Sequence, residues 1–186
     1  PAELAAFALS DAPAAFEFAW RTPVDVKGGI LVETASGGRT IADIGPAISF
    51  DRVLELERSG SRILFNCATG LFDLETLVPR LDALARELPV RLTDQDKDAG
   101  RYSQAEQVTW EVAGLLDGFV GFAVDKYERF IAAKLLLETL MSSGAEPSSP
   151  LPSGIADTAG LLAAGQKRLM ERAYGLRLES NRWKPR

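Results

Sequence analysis

The chain has 186 residues, 46% of them hydrophobic, and a formal net charge of -5, which is enough apolar material for one sizeable core and too acidic for a surface built throughout to hold phosphate backbones. It contains no histidine and a single cysteine, Cys67, so histidine triads, histidine general bases, histidine-ligated metals, an intramolecular disulfide and a multi-cysteine zinc site are excluded. Acid/base chemistry falls to Asp, Glu, Lys, Tyr or Cys, and a lone thiol suits a reducing cytoplasm.

Residues 2–20 are Ala-rich and amphipathic, with Leu4, Phe7, Phe16 and Trp20, and this predicts one or two short helices broken at Asp11-Ala12-Pro13. The same stretch lacks a basic n-region and does not read as an export signal. Two β-branched runs, 29–34 and 39–44, flank Ala35-Ser36-Gly37-Gly38 and predict a hairpin, because paired glycines accept the dihedrals of a tight turn. After Pro46, Ser49 is placed to cap a helix that Gly60 stops. Residues 62–67, RILFNC, read as a buried strand. Leu77, Leu81, Leu84 and Leu88 repeat at helical spacing, and Pro79 is compatible with a helix only if that helix begins near Thr76. A strand over 89–93 follows.

This succession predicts an α+β fold: a small mixed sheet with packed helices in β-β-α-β-α-β order over residues 1–102, then a helical half over 103–186, together forming one compact domain. From Ser103 to Met141 the apolar residues fit a helical period, interrupted by Gly114, Gly118 and Gly121. Residues 142–154 are rich in Pro, Ser and Gly and read as a linker, followed by a last helix from about 156 to 174. The most apolar run, Val112 to Val124, contains Asp117 and falls short of the roughly 20 residues a membrane span needs.

Four groups of residues are candidates for function. Asp94, Asp96 and Asp98 alternate ahead of Gly100, and carboxylates at that spacing suggest a divalent-cation loop. The turn glycine and the closing Glu106 each arrive one residue late, so the competing expectation is a strand-to-helix connection with Ser103 and Glu106 as a capping box. Cys67 and Thr69 follow the 62–67 strand, and a thiol at a strand end ahead of a helix can act as a nucleophile. Trp110, Gly114, Gly118, Phe119 and Phe122 would lie along one helix and exceed what a thin core-facing stripe requires, which suggests a subunit interface. The tail from Lys167 to Arg186 carries seven basic residues, among them Arg177, Arg182, Lys184 and Arg186, against two acidic ones. It suggests docking to an anionic partner, or folding back on an acidic body.

Two resemblances attach to the Cys67 segment. Cys67-Ala68-Thr69-Gly70 resembles the C-x-x-G skeleton of rhodanese-like sulfurtransferase loops, although Leu71, Phe72 and Asp73 stand where that family usually has a basic or hydroxyl residue. The element order is also similar to that of STAS-type regulatory domains, and the likeness places Thr69 near the hydroxyl residue of their loop.

The function expected from these features is that of a non-catalytic accessory or assembly protein, acting through helical surfaces and the basic tail, with itself or another protein as partner. The alternatives are a histidine-independent enzyme with a site near Cys67 and the Asp94–Asp98 loop, and a binder of anionic partners through the tail. The composition points away from nucleic acid and membrane as partners and calls for no cofactor.

Overall fold

The computed structural model describes residues 2–23, 25–97, 100–129, 153–180 and 182–186, which form two compact units, 1–123 and 124–186. The α+β class holds: a mixed sheet of five strands is combined with helices.

In the first unit, helix α1 (Ala2–Ala8) precedes strand β1 (Ala14–Trp20). The expectation of helix over the second half of this stretch is corrected. Pro13 disfavours helix in its predecessor, and from Ala14 onward Phe16, Phe18 and Trp20 alternate with Ala15, Glu17 and Ala19, the two-residue period of a strand. All of β1 except Trp20 is buried, so both of its faces are covered. Strands β2 (Gly29–Glu33) and β3 (Arg39–Asp43) form the expected hairpin, paired from Gly29 with Asp43 to Glu33 with Arg39.

Helix α2 (Phe50–Arg58) begins where Ser49 accepts a hydrogen bond from the Arg52 amide at 3.2 Å and ends ahead of Gly60. Strand β4 (Leu64–Phe72) runs well past Cys67, so the thiol lies within the strand rather than at its end. Asp73 caps α3 (Leu74–Leu77), a 3-10 turn (Val78–Arg80) takes in Pro79, and α4 (Leu81–Glu87) delivers Leu84 to the core.

The strand expected over 89–93 is present as the start of β5 (Val90–Lys97), and the structure departs from the helical expectation only after it. Strands β5 and β6 (Gly100–Gln107) make a separate antiparallel hairpin, with Asp94 opposite Ser103 and Asp96 opposite Arg101. Ser103 therefore caps no helix; its hydroxyl donates to the Asp94 carboxylate at 2.7 Å. Gly100, at φ +97, supplies the positive dihedral that reverses the chain there, and once reversed the chain satisfies its amides across the ladder instead of along a helix. A 3-10 segment (Thr109–Leu115) and strand β7 (Val120–Ala123) follow where helix was expected.

The sheet order is β3-β2-β4-β1-β7, with β1 antiparallel to β4 and parallel to β7. Its core gathers Phe16, Phe18, Ile41, Leu84, Val112, Leu116 and Phe119. Phe16 meets Phe72, Trp110 and Phe119 edge to face, with ring centroids 5.7, 6.1 and 5.3 Å away. Three arginines tie down the 109–119 segment. Arg80 donates to the Leu115 carbonyl at 2.9 Å, Arg39 donates to the Phe119 carbonyl at 3.1 Å while covering the Phe119 ring, and Arg91 pairs with the buried Glu111 at 2.9 Å.

The second unit contains α5 (Lys126–Arg129), α6 (Ser153–Tyr174) and a hairpin of β8 (Leu176–Glu179) with β9 (Arg182–Pro185). The Asp125 carboxylate accepts from the Tyr127 amide at 2.9 Å, and Glu128 pairs with Arg168 and Arg172 of α6. The expected linker lies outside the described residues except for Ser153 and Gly154, which open α6. Among the described residues no helix is long and apolar enough to cross a membrane.

Candidate functional site at the β4 bulge

The pairing of β1 with β4 is interrupted once. Phe16 lies opposite Gly70 and Phe18 opposite Asn66, so the single residue Glu17 on β1 spans Cys67, Ala68 and Thr69 on β4. Such bulges bend a strand, free its backbone groups from the ladder and are enriched beside functional sites. Here the bend also holds a strained residue: Ala68 has φ +54, a left-handed conformation that costs an alanine free energy. Asn66 maintains it by accepting a hydrogen bond from the Ala68 amide on its side-chain oxygen at 3.2 Å. The Thr69 hydroxyl donates to the Cys67 carbonyl at 3.5 Å, and the Cys67 thiol faces the Phe65 carbonyl at 3.8 Å.

The bulge is enclosed by polar groups that rarely lie inside a protein unless they have a task. Glu17 is 5% exposed and Asn66 4%, and Cys67 beside them is equally buried. The other wall is the start of β2. A Cβ at Gly28 would lie 2.6 Å from the tip of the Phe65 ring, and Gly28 also has φ +135. A Cβ at Gly29 would lie 2.5 Å from Ile41 Cγ2 and 3.5 Å from both the Asn66 Cβ and the Asp43 carboxylate. Bare backbone at 28 and 29 is therefore what allows the hairpin to pack against Phe65 and Asn66.

The segment that joins β1 to this glycine pair is built by its own side chains. The Thr22 amide and hydroxyl donate to the Asp25 carboxylate at 2.7 and 2.9 Å, and the Asp25 amide returns a bond to the Thr22 carbonyl at 2.9 Å. Farther along, the Ile44 amide donates to the Gly28 carbonyl at 2.9 Å. A carboxamide, carboxylates and approachable backbone groups can hydrogen-bond the hydroxyl and amide groups of a polar, uncharged ligand moiety.

Of the residues singled out from sequence, Cys67 and Thr69 both belong to the bulge. Asp94 and Asp96 lie two apart on β5, in a different sheet, and Asp98 is outside the described residues. Among the described residues no group of three or more Cys, Asp and Glu is arranged to hold a metal ion. Trp110, Gly114, Gly118, Phe119 and Phe122 do not share a helix: Trp110 and Phe119 surround Phe16, a Cβ on Gly114 would meet Thr40 Oγ1 at 2.6 Å, Gly118 lies in the connection before β7, and Phe122 pairs with Glu17 across β7 and β1. In the tail, Arg177 is opposite Lys184 and Glu179 opposite Arg182; Lys184 pairs with Glu179 at 2.9 Å and Arg186 with Glu171 at 3.4 Å. Glu17, Asn66, Gly28 and Gly29 are not among the residues that stand out in the sequence. The signal that could have found Asn66 is an apolar run continuing from Leu64 through the small residues to Phe72, which makes it interior to a strand.

No family model and no curated protein matches the chain. Solved structures do resemble it. UDP-glucose phosphorylase from Trypanosoma brucei is 20% identical with a TM-score of 0.60 over 75% of this chain and 31% of its own. UDP-glucose pyrophosphorylase from Leishmania major, solved in open and closed structures, is 16% identical with a TM-score of 0.56 over 75% and 33%. A mutant of the Leishmania major enzyme in complex with UDP-glucose is 14% identical with a TM-score of 0.58 over 82% and 35%. The chain thus spans about a third of the length of these proteins and shares the fold of that part. This corrects the expectation of a non-catalytic assembly protein working through helical surfaces: the fold is one that enzymes carry, and the helix meant to present that surface is a 3-10 segment, a turn and a strand.

Proposed function

We propose that the chain contributes a ligand-binding sheet to an enzyme of the UDP-glucose pyrophosphorylase type, with the β4 bulge facing the uncharged part of a nucleoside-diphosphate sugar. Fold likeness supports the class of substrate. The observation that carries the site is the strained Ala68 turn, held by the buried Asn66 and spanned by the buried Glu17 in the middle of a sheet. Carboxylates repel a diphosphate and accept hydrogen bonds from hydroxyl groups, so this wall suits the sugar or the base better than the phosphates. The reaction such an enzyme performs is an exchange at phosphorus: pyrophosphate attacks the uridine-bearing phosphorus of UDP-glucose, the bond to the glucose phosphate breaks, and UTP and glucose 1-phosphate result. A cytoplasmic location accords with the buried, free Cys67.

The test is calorimetric titration of UDP-glucose into the protein, paired with detection of glucose 1-phosphate released on adding pyrophosphate. Saturable binding is expected, weakened on the order of tenfold or more by Asn66→Ala, since removing one partner of a buried hydrogen bond costs about 1–3 kcal/mol. Absence of saturable binding by both UDP-glucose and UTP would overturn the proposal.

A further inference from the structure

Arg21 follows β1 directly, and its side chain is only 2% exposed. Its Nε donates to the Asp25 carbonyl at 3.0 Å, its Nη1 pairs with Glu57 of α2 at 2.6 Å, and its guanidinium lies 5.4 Å from the centre of the Phe50 ring. The backbone amide of Arg21 donates to the Ile63 carbonyl at 2.8 Å, so the residue is fixed at both its main chain and its side chain. The third nitrogen of the fork, Nη2, is buried and has no hydrogen-bond partner among the described residues.

A buried guanidinium left partly unsatisfied is a poor device for stability alone, because an apolar residue in the same space would carry no such penalty. Groups that break a local rule in this way are found where position counts for more than stability. The planar fork fixes two directions at once, toward α2 and toward the Thr22–Asp25 turn, which a lysine cannot do. What leads away from that turn is the Gly28-Gly29 wall of the candidate site.

We infer that Arg21 is a positioning residue: it clamps the Thr22–Asp25 turn to α2 and thereby sets where Gly28 and Gly29 stand against Phe65 and Asn66. The ligand half of this inference rests on the UDP-sugar reading above; the clamp itself does not. Loosening the clamp lets the glycine wall wander, and affinity for the ligand falls although no contact to it has been removed.

Hydrogen exchange of residues 21–29, followed by mass spectrometry on the ligand-free protein, is measured with UDP-glucose affinity for the wild type, Arg21→Lys and Glu57→Ala. Glu57→Ala keeps the Arg21 bond to Asp25 and guards against a lysine variant that does not fold. Exchange is expected to rise from wild type to Glu57→Ala to Arg21→Lys, with exchange in β4 and β1 unchanged and affinity for UDP-glucose falling on the order of tenfold in Arg21→Lys. Unchanged exchange over 21–29 in both variants overturns the clamp. Raised exchange with undiminished affinity overturns its role in positioning the ligand wall. If the wild type binds neither UDP-glucose nor UTP, the functional proposal fails by itself, and the exchange rates still decide the clamp.

Discussion

Ala68 is an alanine in a conformation that glycine adopts freely, and its neighbours hold it there. Ala68→Gly should raise stability by about 1 kcal/mol by relieving the left-handed strain, while lowering ligand affinity because the bulge loses its set shape; urea unfolding and titration measure the two effects separately. Gly28→Ala should act in the opposite direction. A methyl group 2.6 Å from the Phe65 ring, on a backbone at φ +135, must displace the ring, and a loss of about 1–3 kcal/mol is expected in the same unfolding experiment. Asp73 makes a third residue-scale case. The Thr76 hydroxyl at 2.5 Å holds its carboxyl below the usual carboxylate range, against an opposing effect of burial and with lesser help from the amides of Glu75 and Thr76. A depressed folded-state pKa adds stability that is present above the unfolded value, 3.8, and disappears as pH falls through the folded one. Thermal melts of Asp73→Asn should therefore fall less steeply than those of the wild type below about pH 4.

Among the elements, those whose chemistry is local were legible in the sequence. The β2–β3 hairpin announces itself in Gly37-Gly38, and α2 in Ser49 and Gly60, because caps and turns are decided by a few adjacent residues. The elements misread are those whose partners are distant. Ala-rich β1 resembles a helix until β4 and β7 supply the ladder for its backbone, and β6 is polar enough for either structure until β5 lies beside it. The candidate site is half legible for the same reason: Cys67 and Thr69 read as a strand end, while Glu17 falls in a stretch that reads as helix, which does not place it opposite them. The hairpin and the 3-10 segment are joined by Arg91 and Glu111, whose side chains are 33% and 7% exposed. Removing the cation strands a buried carboxylate, whereas removing the carboxylate leaves an arginine that can reach water. Arg91→Ala should accordingly cost about 2–3 kcal/mol and Glu111→Gln about 1 kcal/mol or less, an asymmetry that equilibrium unfolding would show.

At the scale of the whole molecule the tryptophans divide usefully, with Trp20 and Trp110 in the first unit and Trp183 in the second. Glu128 anchors the second unit by accepting from both Arg168 and Arg172. Glu128→Gln should weaken that unit by about 1 kcal/mol, given the exposure of both arginines, and leave the other unchanged; fluorescence melts of single-tryptophan variants would separate the two transitions. The position of β1 reaches further. Its antiparallel neighbour arrives some fifty residues later, but its parallel neighbour β7 is about a hundred residues away, with Ala15 beside Val120. As the chain leaves the ribosome, the most apolar strand of the sheet must wait with one edge open until about a hundred further residues have been made. Synthesis arrested before Val120 would expose that edge, and aggregation of nascent chains, rather than slow folding of finished ones, is the hazard this topology carries.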